Sequence, residues 1–138
     1  MSGGATILVV EDDPRSRRLV HDLLEHAGHA IIEAASGEEA VRLARERLPA
    51  LIVMDVRLPG IDGIEALRQL RGTDACRAIP VIAVTASAMP GDRAAITAAG
   101  FDACEEKPID VHRLLATVRT LLARGAGADA TAAAKVQQ

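Results

Sequence analysis

Four short apolar runs and a weaker fifth strand segment, each followed by a segment of helical periodicity, constrain this chain more than any other feature. Thr6–Val10 (TILVV) is β-branched and ends in acidic residues, which reads as a strand buried on both faces. Asp13 and Pro14 supply a cap and a proline at the first helical position. Residues 15 to about 27 then set Leu19, Val20, Leu23 and Leu24 on one face, and Gly28 stops the helix. Residues 29–33 predict a second strand. Ser36 and Glu39 form a capping box, which opens a helix carrying Ala40, Val41, Leu43, Ala44 and Leu48 and ending at Pro49. Residues 51–54 (LIVM) are a third buried run, ending at Asp55. A turn at Leu58, Pro59 and Gly60 leads to a short helix, Gly63–Arg71, with Ile64, Leu67 and Leu70 inward. Residues 80–85 predict a fourth strand, 92–99 an alanine-rich helix stopped by Gly100, and 102–106 a fifth strand. Asp110 caps a last helix whose stripe is Val111, Leu114, Leu115, Val118, Leu121 and Leu122.

This βα alternation predicts an α/β fold, a parallel sheet with helices on both faces. The 138 residues suit one domain of ~100–150. We read residues 1–4 as an N-terminal extension, 5–124 as the domain, and 125–138 (GAGADATAAAKVQQ) as a flexible tail. That tail has no apolar period and is too short for a stable isolated helix.

Composition excludes several function classes. The 16 Lys and Arg against 19 Asp and Glu give net −3, no footprint for a nucleic-acid backbone. Phe101 is the single aromatic residue, so base stacking and cation cages are out. Cys76 and Cys104 make neither a disulfide framework nor a zinc site with His21, His26, His29 and His112. The N-terminus lacks signal-peptide character, and no apolar stretch nears the ~20 residues of a membrane span. A soluble, cytoplasmic protein with no membrane partner is expected.

In parallel α/β sheets, ligands bind beyond the carboxyl ends of the strands. Glu11, Asp12 and Asp13 follow the first strand, Asp55 ends the third, Thr85 ends the fourth, and Lys107 follows the fifth. Carboxylates gathered at one edge repel, and a divalent cation is the usual remedy. Oxygen donors alone point to a hard ion, Mg²⁺. Lys107 and Thr85 are then suited to hold phosphoryl oxygens, by charge and by hydrogen bond. Asp55 is suited to attack as a carboxylate nucleophile and form an aspartyl phosphate.

Residues 7–13 (ILVVEDD), 52–63 (IVMDVRLPGIDG), 81–86 (VIAVTA) and 106–108 (EKP) together resemble the receiver domain of two-component response regulators. The resemblance covers about residues 5–124. It implies a flavodoxin-like, CheY-like (βα)5 fold with strand order 2-1-3-4-5. It implies Asp55 as phosphoacceptor, Asp12 as a direct Mg²⁺ ligand with Glu11 behind it, and the backbone carbonyl of Arg57 as a further ligand. Thr85 and Lys107 match the switch hydroxyl and the lysine of the motif, while Ala86, Ser87 and Arg57 take positions that tune the phosphoryl group. Implied partners are a histidine kinase or a histidine phosphotransfer protein, and a downstream protein bound through the face of the fourth helix, fifth strand and fifth helix. A monomer or weak homodimer is expected. With no output domain following, the chain resembles a stand-alone receiver. Its segments HDLLE (21–25), AVTASAMPGD (83–92) and KPIDV (107–111) resemble the DivK-type cell-cycle regulators.

Cys104 departs from the pattern, standing where the family carries an aromatic ring that moves with the threonine. We read it, like Cys76, as a small core-facing residue, and Phe101 as core. The histidines near the first helix and Arg15, Arg17 and Arg18 read as helix surface. Asp13, Asp62 and Asp110 read as helix caps. Two other functions compete with the switch. One is a phosphate-independent pseudo-receiver, an interaction module, for which Cys104 is the sole support. The other is a small aspartyl-phosphate phosphohydrolase. It needs a second carboxylate two residues after the nucleophile, where this chain has Arg57.

Overall fold

The structure is a computed structural model that describes residues 4–87 and 89–136, with side chains as far as Arg124. Its strands are β1 (Thr6–Val10), β2 (Ala30–Ala34), β3 (Leu51–Asp55), β4 (Val81–Thr85) and β5 (Ala103–Glu106). They form one sheet in the order β2-β1-β3-β4-β5, every pair parallel. The helices are α1 (Pro14–His26), α2 (Gly37–Arg47), α3 (Gly63–Arg71), α4 (Pro90–Ala99) and α5 (Val111–Val136). The expected doubly wound architecture and strand order are those observed.

The pleat sorts the core into two layers, because successive strand side chains point to opposite faces. Ile7, Val9, Val53, Ile82 and Val84 meet Val20 and Leu24 of α1 and Leu114, Val118 and Leu121 of α5. Leu8, Val10, Ile52, Met54 and Ala83 meet Ala40 and Ala44 of α2, Leu67 and Leu70 of α3, and Ile96 of α4. Phe101 is buried in this second layer, as read from sequence. Residues of β3 and β4 are buried throughout, as strands covered on both faces must be.

Caps position the helices over the strand ends. The Asp13 carboxylate accepts from Ser16 N at 3.1 Å, Asp62 from Glu65 N at 2.9 Å, and Asp110 from Arg113 N at 3.0 Å. Ser36 Oγ accepts from Glu39 N at 3.1 Å, and Glu39 reaches back to Ala35 N at 2.8 Å, one residue before the cap.

The structure also corrects the sequence reading. Leu19 is 55% exposed and Leu48 52% exposed. On α1 the buried seam runs through Val20 and Leu24, four apart, and Leu19 lies about 100° around the helix from Val20. Leu48 is the C-cap of α2, held in the left-handed region at φ 46°, which turns it off the stripe. A 3-10 turn at Asp74–Cys76 was not anticipated, since three residues carry no period. The tail expected over residues 125–138 falls where α5 is drawn on to Val136, beyond the last described side chain, Arg124. Residues 137–138 lie outside the described residues, as do 1–3 of the expected N-terminal extension.

Candidate functional site

Five parallel strands present their carboxyl ends along one edge, so residues distant in sequence meet there. Lys107 follows β5, and its N–H donates to Thr85 O of β4 at 2.8 Å. From that anchor Lys107 Nζ reaches across the sheet. It donates to Asp55 Oδ2 at 2.8 Å and to Glu11 Oε1 at 2.8 Å. The second oxygen of each carboxylate is held by backbone: Asp55 Oδ1 accepts from Arg57 N at 3.0 Å, and Glu11 Oε2 from Asp13 N at 3.1 Å. Asp55 and Glu11 are buried, whereas Asp12 is exposed. One carboxylate oxygen from each of Glu11, Asp12 and Asp55 lies within 4.8 Å of the others.

Burial pushes the Glu11 carboxyl above its ordinary value, and the Asp55 charge adds to this. Hydrogen bonds from Lys107 and Asp13 N oppose the rise without cancelling it. Burial alone would lower Lys107, but its hydrogen bonds to Asp55 and Glu11 outweigh that and raise it. The site therefore has three carboxylates and one ammonium. That charge imbalance, with oxygen donors only, fits a hard divalent cation beside the ammonium.

Gly63, at the start of α3, lets the β3–α3 loop close over Asp55. A Cβ there would sit 2.6 Å from Asp55 O and 2.9 Å from Val56 Cα. Gly63 N instead donates to Val56 O at 2.8 Å. Beside the carboxylates lies a cavity of about 180 Å³ between α1 and the β5–α5 connection at Lys107, Pro108 and Ile109. Its apolar wall includes Val9, Val20, Val53 and Val84, which limits solvation of Glu11 and Asp55 from that side.

Thr85 is buried at the same edge, but its hydroxyl is engaged elsewhere. It donates to Ser87 O at 2.9 Å and accepts from Ser87 N at 3.1 Å. Ser87 Oγ in turn donates to Asp92 Oδ2 at 2.6 Å. Ala86 and Arg57 are exposed beside them. Glu11 pairs with Lys107 and not with Arg57. Cys104 is half-buried, packs on the α4 side of the sheet, and has its thiol pushed up by burial.

Sequence reasoning missed the residues that brace this edge. Arg17 was read as surface, yet its guanidinium donates to Glu11 O at 2.9 Å and to Glu33 Oε1 at 3.1 Å. Glu33 also binds His21 Nδ1 at 2.5 Å. Nothing in a linear pattern pairs residues of α1 with β2. A charged residue facing into an expected edge strand, as Glu33 does, was the only available sign.

The family profile of the response regulator receiver domain matches residues 7–119. The chain belongs to that family. It is 43% identical over 117 residues to the polar-differentiation response regulator DivK of Brucella anthropi, a match covering 85% of this chain and 95% of that protein. Among solved structures, it resembles the receiver domain of a sensor histidine kinase from Pseudomonas aeruginosa, determined with magnesium coordinated in its active-site cleft. That match has a TM-score of 0.82 and 34% identity, covering 88% of this chain and 99% of the other. The chemotaxis protein CheY4 of Vibrio cholerae matches with a TM-score of 0.81 and 27% identity, over 86% and 99% of the two chains. Receiver domains are phosphoacceptor switches of two-component signalling rather than enzymes with a separate substrate, and this chain is a response regulator receiver of that kind. Among the described residues, no helix is long and apolar enough to cross a membrane.

Proposed function

We propose that Asp55 is the phosphoacceptor, taking a phosphoryl group from a histidine kinase or histidine phosphotransfer protein. The observation that carries this reading is Lys107 Nζ, 2.8 Å from both Glu11 and Asp55 at the strand ends. In the transfer, the P–N bond of a phosphohistidine breaks and a P–O bond forms to an Asp55 oxygen. The imidazole leaves and takes up a proton. Lys107 already contacts Asp55 and so needs little movement to meet phosphoryl oxygens as charge develops on them. Arg57 N holds the other Asp55 oxygen and fixes the plane of the carboxylate.

Asp12, Asp55 and the backbone carbonyl of Arg57 are the residues suited to hold Mg²⁺, with Glu11 behind Asp12. When bound there, Mg²⁺ supplies the positive charge that lets an anionic phosphoryl group approach this acidic cluster. Thr85 gives up its bond to Ser87 O and turns toward a phosphoryl oxygen. With Cys104 in place of an aromatic ring, the signal passes through Ala86, Ser87 and the rest of the β4–α4 loop to the α4–β5–α5 face, which binds the downstream partner. The domain catalyses only its own phosphorylation and dephosphorylation. Intact-mass spectrometry after acetyl phosphate treatment tests this. One phosphoryl adduct is expected with Mg²⁺, and none with chelator or with Asp55→Asn. An adduct that survives Asp55→Asn would overturn the assignment.

A further inference from the structure

The hydroxyl that should meet the phosphoryl group is held away from it by a chain of three hydrogen bonds. Thr85 Oγ1 is gripped twice by the Ser87 backbone, at 2.9 Å through O and 3.1 Å through N. Ser87 is itself tied down, because its hydroxyl donates to the Asp92 carboxylate at 2.6 Å. Asp92 sits in the first turn of α4. Its partner is five residues back, so the contact ties the β4–α4 connection to the first turn of α4. The N-cap of α4, Met89, makes no side-chain cap bond, which leaves the Ser87–Asp92 pair as the side-chain tie at this helix entrance among the described residues. Alongside lies a cavity of about 160 Å³, lined by Arg57, Ile64, Thr85, Ser87, Asp92 and Ile96. The loop therefore has room to move once the tie opens.

We propose that Ser87 and Asp92 form a latch that keeps the Thr85 hydroxyl in the resting loop, so that Asp92 is a positioning residue for phosphoryl capture. The inference rests on Asp55 being the phosphoacceptor. Thr85 cannot donate to Ser87 O and to a phosphoryl oxygen with its single proton. Capture therefore breaks the bond to Ser87 O, and any bond that fixes Ser87 opposes capture. Removing the latch lowers that opposition by the worth of one partly exposed hydrogen bond, roughly threefold in affinity.

The test is binding of beryllofluoride, a phosphoryl mimic, in the presence of Mg²⁺. The chain has no Trp or Tyr for intrinsic fluorescence, so bound fluoride is followed by ¹⁹F NMR. Ser87→Ala and Asp92→Asn are each compared with the unsubstituted chain, and again in a Thr85→Ala background, with Asp55→Asn as the acceptor control and circular dichroism checking the fold. Each latch substitution should lower the half-saturating concentration roughly threefold when Thr85 is present, and Asp92→Asn should leave it unchanged when Thr85 is absent. A purely structural role would lower stability without that dependence on Thr85. An unchanged or raised midpoint with Thr85 intact overturns the latch and leaves Asp55 as acceptor. Absence of any signal that depends on Asp55 overturns the acceptor reading, and the latch with it.

Discussion

At the scale of single residues, the account turns on Lys107 lying between two buried carboxylates. Exposed ion pairs contribute ~0–1 kcal/mol, while breaking a buried pair costs ~3–5 kcal/mol because a charge is stranded. Lys107 is 29% exposed and its partners 8%, so Lys107→Ala should cost about 1–3 kcal/mol in denaturant unfolding at neutral pH. An unchanged midpoint would contradict the pairing. Glu33, tied to the Glu11 backbone through Arg17, gives a pH test. Burial raises its pKa, but the hydrogen bonds from His21 and Arg17 more than offset this, and the net shift is downward from 4.5. A lowered folded pKa means that its stabilisation is present above 4.5 and is lost as pH falls through the folded value. The stability difference between the native chain and Glu33→Gln should therefore be constant above 4.5 and shrink below it in acid titration of the unfolding midpoint. Asp55 and Thr85 were legible because each ends an apolar run, and Lys107 because it follows the last strand segment, where a parallel sheet must gather them. Arg17 and Asp92 were not. Each matters through a partner brought near by the fold or by a loop conformation, and neither leaves a period in the sequence.

At the scale of elements, the caps and the buried seams explain where the chain bends and which faces it hides. Leu24 is fully buried and Leu19 is 55% exposed on the same helix. Leu24→Ala should cost ~2–5 kcal/mol and Leu19→Ala less than ~0.5 kcal/mol, measured as unfolding free energies. Equal costs would mean that the seam of α1 is misplaced. Gly63→Ala puts a methyl 2.6 Å from Asp55 O. It should cost ~1–3 kcal/mol by overpacking and also slow phosphoryl acceptance, because backbone beside the acceptor must shift. Strands and helices were legible from periodicity, since burial on both faces enforces continuous apolar runs. The boundaries were less so. The fourth helix begins at Pro90, two residues before the Asp92 start read from the sequence, because a proline at the first helical position leaves no apolar mark.

For the whole molecule, the parallel arrangement follows from βα alternation, because a crossover helix is what joins two parallel neighbours. The order β2-β1-β3-β4-β5 does not follow from alternation. It was legible only through the receiver resemblance, whereas the gathering of Glu11, Asp12 and Asp55 at one edge was legible from their places after the first and at the end of the third apolar run. A cation that binds the folded chain and not the unfolded one stabilises it by about 2.7 kcal/mol at a hundredfold excess over its dissociation constant. Mg²⁺ should accordingly raise the thermal unfolding midpoint, and Asp12→Ala should abolish most of the rise. A rise unaffected by that substitution would place the ion elsewhere. The central claim is that Asp55, in this cluster, takes the phosphoryl group, and borohydride reduction tests it most directly. Borohydride converts an aspartyl phosphate to homoserine and leaves a free carboxylate untouched. After acetyl phosphate and Mg²⁺ treatment, reduction and trypsin digestion, the peptide spanning residues 48–57 (LPALIVMDVR) is sequenced by mass spectrometry, with Asp55 as its only acidic side chain. The account predicts homoserine at position 55 in the Mg²⁺ sample and none with chelator. Homoserine at Asp12 or another aspartate, or the longer hydroxynorvaline at Glu11 or another glutamate, with residue 55 unreduced, would contradict it.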